Sequence, residues 1–144
     1  MMIDSHRMEV RGKRMPYQPR VLVVDDDENI LSAFRDFLKT EGCIMLAARN
    51  TEEAAKQIEQ SKINVLITDI RLKGQSGVTF LMRMKGIQPD LPVIVITGFP
   101  DLITEGDLKT CGANYFFLKP LDLNKLREAV RKCLSLTKEY HHKC

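Results

Sequence analysis

The stretch that decides the fold is Val21–Asn29, VLVVDDDEN. Four consecutive apolar residues, three of them β-branched valines, run straight into Asp25, Asp26 and Asp27. A strand that is apolar at every position has no solvent face, so it is covered on both sides, as in a parallel sheet. Three adjacent carboxylates at its end repel one another and call for water or a cation.

Working outward, the same kind of short apolar run recurs four times: Ile44–Ala47, Asn64–Asp69 (NVLITD), Leu91–Thr97 (LPVIVIT) and Asn114–Leu118 (NYFFL). Helical patterns lie between them. Ile30, Leu31, Phe34, Phe37 and Leu38 make one face of a helix over 28–41, and Gly42 suits its C′ position. Thr51 is read as the N-cap of a second helix, with Glu52 and Glu53 in its first turn. Gly74 and Gly77 mark a loop, after which Val78, Leu81 and Met82 make a short helical face. Residues 100–111 read as a weaker helix with Pro100 at its start and Gly106 inside. Asp122 caps a last helix whose face is Leu126, Ala129, Val130, Cys133 and Leu134. Five β–α units imply an α/β fold, a doubly wound five-stranded parallel sheet with helices on both faces.

The 144 residues suit one domain, and 44% apolar with 28% charged content is ordinary for a globular chain. No apolar run approaches the ~20 residues of a membrane helix, and the first residues lack the apolar core of a secretory signal. The expected location is the cytoplasm. The net charge of +3 sits in residues 1–20, which carry five basic and two acidic side chains, leaving 17 of each in the remainder. The expected division is a basic, flexible leader at 1–19, a domain at 20–138 and a short tail at 139–144. A solvated leader is preferred to a nucleic-acid contact, and no membrane partner is expected. Cys43, Cys111 and Cys133 have no metal or disulfide spacing and read as small buried apolar residues.

Position then singles out the polar residues. Asp25 and Asp26 follow the first strand, Asp69 ends the third, Thr97 ends the fourth and Lys119 follows the fifth. In a parallel α/β sheet all strand C-termini share one edge, where ligands bind. Three carboxylates, a hydroxyl and an ammonium there suit phosphoryl transfer. Hard oxygen ligands suit Mg²⁺, a lysine and a hydroxyl can hold phosphoryl oxygens, and a carboxylate can be the nucleophile. The pattern alone does not say which aspartate attacks. Asp27 is read as the cap of the first helix.

Taken together, VLVVDDDENI, ITDIRLKGQSG, VITG and FFLKP make the chain from about Arg20 to Leu136 resemble the receiver domain of a bacterial two-component response regulator. The resemblance implies the flavodoxin-like strand order 2-1-3-4-5 and a phosphorylation-controlled signalling module rather than an enzyme acting on an external metabolite. It implies that Asp69 is the phosphoacceptor, fed by a phosphohistidine of a sensor kinase or histidine phosphotransfer protein. Asp25, Asp26, Asp69 and the Arg71 backbone carbonyl would hold Mg²⁺, with Asp26 directly on the ion and Asp25 helping, partly through water. Thr97 and Lys119 would hold the phosphoryl oxygens, Lys119–Pro120 would be cis, and Phe116 would be the switch aromatic that follows Thr97. The output partner would be another protein, an output domain outside this chain, or a second copy docked through the face of helix 4, strand 5 and helix 5. The chain departs from the common family pattern at Leu72–Lys73, where many receivers have Met-Pro. Two alternatives remain: a haloacid-dehalogenase-like phosphatase, whose DxDx[TV] pattern Asp25–Asn29 meets at both aspartates but not at Asn29, and a phosphorylation-independent pseudo-receiver.

Overall fold

The computed structural model describes residues 9–10, 13–14, 18–69, 71–72, 75–98, 109–110 and 112–136. The apolar runs become strands β1 (Arg20–Val24), β2 (Ile44–Ala48), β3 (Val65–Asp69), β4 (Val93–Thr97) and β5 (Tyr115–Leu118). Between and after them lie α1 (Glu28–Thr40), α2 (Thr51–Gln60), α3 (Gly77–Ile87), the helical residues 109–110 (α4) and α5 (Leu123–Leu134). The strands form one parallel sheet in the order β2-β1-β3-β4-β5, which is the expected 2-1-3-4-5 order.

Successive strand residues point to opposite sheet faces, and here both faces are covered. Leu22, Val24, Leu66, Val93 and Val95 pack with Ala54, Ile58, Phe80, Leu81 and Met84 of α2 and α3. Val21, Val23, Val65, Ile67, Ile94 and Ile96 pack with Leu31, Phe34 and Leu38 of α1 and Leu126, Val130 and Cys133 of α5. That two-sided burial is why the strands carry no alternation in the sequence.

Asp27 caps α1 by accepting from the Asn29 amide at 2.8 Å, and Asp122 caps α5 by accepting from Asn124 and Lys125. Gly42 follows α1 at φ 76°, a left-handed conformation that glycine adopts without strain. Two local expectations need correction. The cap of α2 is Asn50, whose Oδ1 accepts from the Glu53 amide at 2.9 Å, and Thr51 is the first helical residue. The buried face of α3 is Gly77, Phe80, Leu81 and Met84, whereas Met82 is 60% exposed. The helix begins at Gly77, so the i, i+3, i+4, i+7 stripe falls on those positions. Pro100, Gly106, Lys73 and Cys111 lie outside the described residues.

The lower edge of the sheet is closed by two asparagines that extend the ladder with their side chains. Asn64, just before β3, donates its amide to the Arg20 carbonyl at 2.8 Å, and its Oδ1 accepts from the Arg20 amide at 2.7 Å. Asn114, just before β5, does the same with Val93, at 2.8 Å in both directions. The side-chain carbonyl stands in for the next peptide. The chain before β1 is tied in as well, since Pro19 accepts from the Ile44 amide at 2.8 Å and Gln18 donates to Gly42. On the α1–α5 face, the Glu41 carboxylate, 7% exposed, accepts from Arg127 and Arg131 at 2.9 Å each. Arg127 also lies over the Phe37 ring, 5.5 Å from its centroid.

Asn64 is 2% exposed and Asn114 is exposed, so losing the two latches should cost differently. Asn64→Ala, which removes a buried side chain and the partner of the Arg20 amide, is expected to lower the unfolding free energy by about 1–3 kcal/mol, and Asn114→Ala by about 0.5–1 kcal/mol; urea unfolding of the two variants checks the order. Burial pushes the Cys43 and Cys133 thiols up to about 12. Both should therefore resist a thiolate-selective reagent at neutral pH in the native protein and react at once in denaturant, as peptide mapping of labelled sites would show.

Candidate functional site

The upper edge of the sheet gathers the predicted residues unequally. β1 delivers Asp25, 5% exposed, with its amide donating to Ala48 at 3.0 Å and its Oδ1 accepting from the Asp27 amide at 2.9 Å. β3 ends at Asp69, whose side chain is 12% exposed. Lys119 follows β5 and is fixed by its own amide, which donates to the Thr97 carbonyl at 2.8 Å. Its ammonium lies 2.9 Å from Asp69 Oδ2 and 3.6 Å from Asp25 Oδ2. The Lys119–Pro120 peptide is cis.

Asp26 is exposed at the rim, one residue past the buried Asp25. Among the described residues, no three acidic, histidine or cysteine side chains stand grouped as a ready-made metal cluster. Thr97 ends β4 and is fully buried. By strand alternation it shares the α2–α3 side of the sheet with Val93 and Val95, and Phe116 packs on that same side, half-buried. Asp69 falls on the other side, with Val65 and Ile67. Arg71 is two residues past Asp69, in a two-residue antiparallel ladder that pairs Arg71–Leu72 with Gln75–Ser76.

Below the three charged groups lies a cavity of about 200 Å³. Apart from Asp25, Asp69, Thr68 and Lys119, its walls are apolar: Val23, Val24, Ile30, Phe34, Ile67, Ile96, Pro120 and Leu121. Most of these wall residues read from the sequence as strand or helix-face core; Pro120 enters only as the cis partner of Lys119, and Leu121 is not singled out. Ile30 and Phe34, four apart in the first turns of α1, were the available signal. Arg49 pairs with Glu28, the first residue of α1, both more than half exposed; such a pair contributes little.

Burial holds the Asp25 carboxyl above its ordinary value, with Asp69 and Asp26 adding repulsion; the Asp27 amide and Lys119 pull the other way without overcoming it. For Lys119, burial works against the charge, but the hydrogen bond and charge of Asp69, helped by Asp25, outweigh it and hold the ammonium above its ordinary value. The arrangement therefore places a stable cation against one oxygen of Asp69, beside a second carboxylate that is short of positive charge. Such a site can hold a divalent cation with its oxygens and neutralise charge arriving at Asp69.

A doubly wound sheet in this order, with an aspartate–lysine–aspartate cluster at its carboxyl edge, defines a class of phosphoryl-accepting α/β domain. The chain belongs to the response regulator receiver domain family, which matches residues 21–131. Sporulation initiation phosphotransferase F of Bacillus subtilis is 30% identical over 117 residues, covering 81% of this chain and 94% of that protein. Transcriptional regulatory protein ZraR of Salmonella typhimurium is 28% identical over 119 residues; the match covers 83% of this chain but 27% of ZraR. The chain thus spans about a quarter of that longer relative. The response regulator protein TrrA of Thermotoga maritima, solved in complex with Mg²⁺–BeF, superposes with a TM-score of 0.73 at 30% identity, covering 81% of this chain and all of that one. Family membership leaves the phosphatase alternative without support.

A carboxyl whose folded value is raised favours the protonated form in the native state, so its ionisation removes stability as pH climbs from the ordinary carboxylate value to the raised one. Asp25→Asn removes that loss. In chelator, it is expected to melt at a higher temperature than the wild type at neutral pH, with the difference shrinking as pH falls below the ordinary carboxylate range. Calorimetric melts across pH check this, and an unchanged or lower melting temperature at neutral pH would refute it.

Proposed function

We propose that this domain is a phosphorylation-controlled receiver in which Asp69 accepts a phosphoryl group from a phosphohistidine of a sensor kinase or histidine phosphotransfer protein. The observation that carries the reading is the Lys119 ammonium at 2.9 Å from Asp69 Oδ2, at the carboxyl edge of the sheet. An Asp69 carboxylate oxygen attacks phosphorus, the phosphorus–nitrogen bond breaks, and its electron pair returns to the imidazole, which takes up a proton. Lys119 neutralises charge on one phosphoryl oxygen, and the Thr97 hydroxyl donates to another. The side chain of Phe116, on Thr97's side of the sheet, follows that movement and changes the face formed by α4, β5 and α5. Leu118 and Leu123, 48% and 54% exposed, present apolar surface there for an output protein, an output domain or a second copy.

The residues present fit Mg²⁺. The donors on offer are the carboxylates of Asp25, Asp26 and Asp69 and the Arg71 carbonyl, an all-oxygen set of the kind that ion prefers. Burial raises the Asp25 carboxyl, and a dication beside it would favour the ionised form. When bound, the ion would neutralise the acidic pair and hold phosphoryl oxygens. The Mg²⁺–BeF complex of TrrA supports this assignment. On this reading the domain catalyses its own phosphorylation and dephosphorylation and turns over no external metabolite. Among the described residues no helix is long and apolar enough to cross a membrane.

The test is intact-protein mass spectrometry after incubation with acetyl phosphate and Mg²⁺. One phosphoryl adduct, labile to hydroxylamine, is expected on the wild type and none on Asp69→Asn. Asp26→Asn should need about tenfold or more Mg²⁺ for the same labelling. Equal labelling of Asp69→Asn would sink the assignment.

A further inference from the structure

We infer that Thr68 is a positioning residue for the acceptor: its buried hydroxyl anchors the backbone carbonyl of Asp69 and so fixes how the chain leaves β3. The inference rests on the receiver reading for what Asp69 and the Arg71 carbonyl do.

Thr68 is the penultimate residue of β3 and is 3% exposed. The strand residues before it, Val65, Leu66 and Ile67, are buried and wholly apolar. A hydroxyl in that setting gives up its water and has to be met by a protein acceptor. The acceptor is the carbonyl of the next residue, since Thr68 Oγ1 donates to the Asp69 backbone oxygen at 3.0 Å. The bond stands where the ladder runs out. Pairing of β1 with β3 stops at Val24 and Thr68, and pairing of β3 with β4 stops at Asp69 and Ile96. A side chain thus steadies the last carbonyl of the strand.

Strand alternation puts the Thr68 side chain on the α2–α3 side with Leu66, whereas the Asp69 carboxylate lies on the other side, against Lys119. Thr68 therefore acts through the main chain and not on the reacting oxygens. One anchored carbonyl has two effects. The carboxylate hangs from the same α-carbon, so its approach to Lys119 is held. The peptide beyond is planar, so the direction of the Asp69 backbone oxygen sets the course of the chain toward Arg71. Arg71 pairs with Ser76, and its carbonyl is a metal donor in the receiver reading. Valine would serve burial and strand shape equally well at this position; what it lacks is the donor.

The experiment compares wild type, Thr68→Val and Thr68→Ser as full chains in three measurements: thermal melting, calorimetric titration of Mg²⁺ with no phosphodonor, and the rate of labelling by acetyl phosphate at saturating Mg²⁺. Thr68→Val is expected to melt close to wild type, to bind Mg²⁺ about three- to tenfold more weakly and to label about three- to tenfold more slowly, the size of one lost hydrogen bond. Thr68→Ser keeps the donor and is expected within about twofold of wild type in binding and labelling. Unchanged Mg²⁺ binding and labelling in Thr68→Val overturn the positioning role, as does an equal loss in Thr68→Ser, which would trace the effect to packing. A wild type that neither binds Mg²⁺ nor labels overturns the receiver reading and this inference with it, a result distinct from failure of the positioning role alone.

Discussion

Two carboxylates buried at one sheet edge cannot both stay ionised without positive charge close by, and the ammonium of Lys119 supplies it. Much of the upper edge follows from that need. Lys119 must arrive from β5, three strands away from β1 and two from β3, so the sheet order β1-β3-β4-β5 has to be kept for the charge to reach Asp69 and Asp25. The hydrogen bond from the Lys119 amide to Thr97 sets where its side chain starts. The apolar cavity walls of Ile30, Phe34 and Leu121 offer the charged groups no polar partners, which makes the charge interactions among them matter more.

The two edges of the sheet solve different problems. At the amino edge, Asn64 and Asn114 turn their side-chain carbonyls into extra rungs of the ladder, and the result is local. At the carboxyl edge, polar groups are left facing one another and held by charge. A fold that seals one end and leaves the other electrostatically unfinished has its reactive surface decided by topology before any single residue is chosen.

The strand order and the identity of the clustered groups were legible in the sequence because both rest on strong signals. Two-sided burial gives uninterrupted apolar runs, and a charge placed where such a run stops must lie at the edge. What was not legible depends on geometry within a turn. Asp25 and Asp26 read alike, yet one is buried and the other exposed, since a single residue past the strand separates core from rim. Asn50 and Thr51 are both competent caps, and only the backbone angles choose Asn50. Met82 and Met84 differ by the phase of a helix whose start at Gly77 carries no strong cap signal. Asn64 and Asn114 look like ordinary strand beginnings, and the partnership of Glu41 with residues 86 and 90 positions away leaves no local trace.

That last partnership bears on how the chain is made. Glu41 closes α1, while Arg127 and Arg131 belong to the final helix. The apolar stripe of α1, with Leu31, Phe34 and Leu38, shares its core with Leu126, Val130 and Cys133. During synthesis the first helix therefore emerges long before the helix that covers it. A chain halted ahead of α5 would leave the core that α1 shares with it only partly covered, so this side of the sheet cannot be completed until the last helix is available.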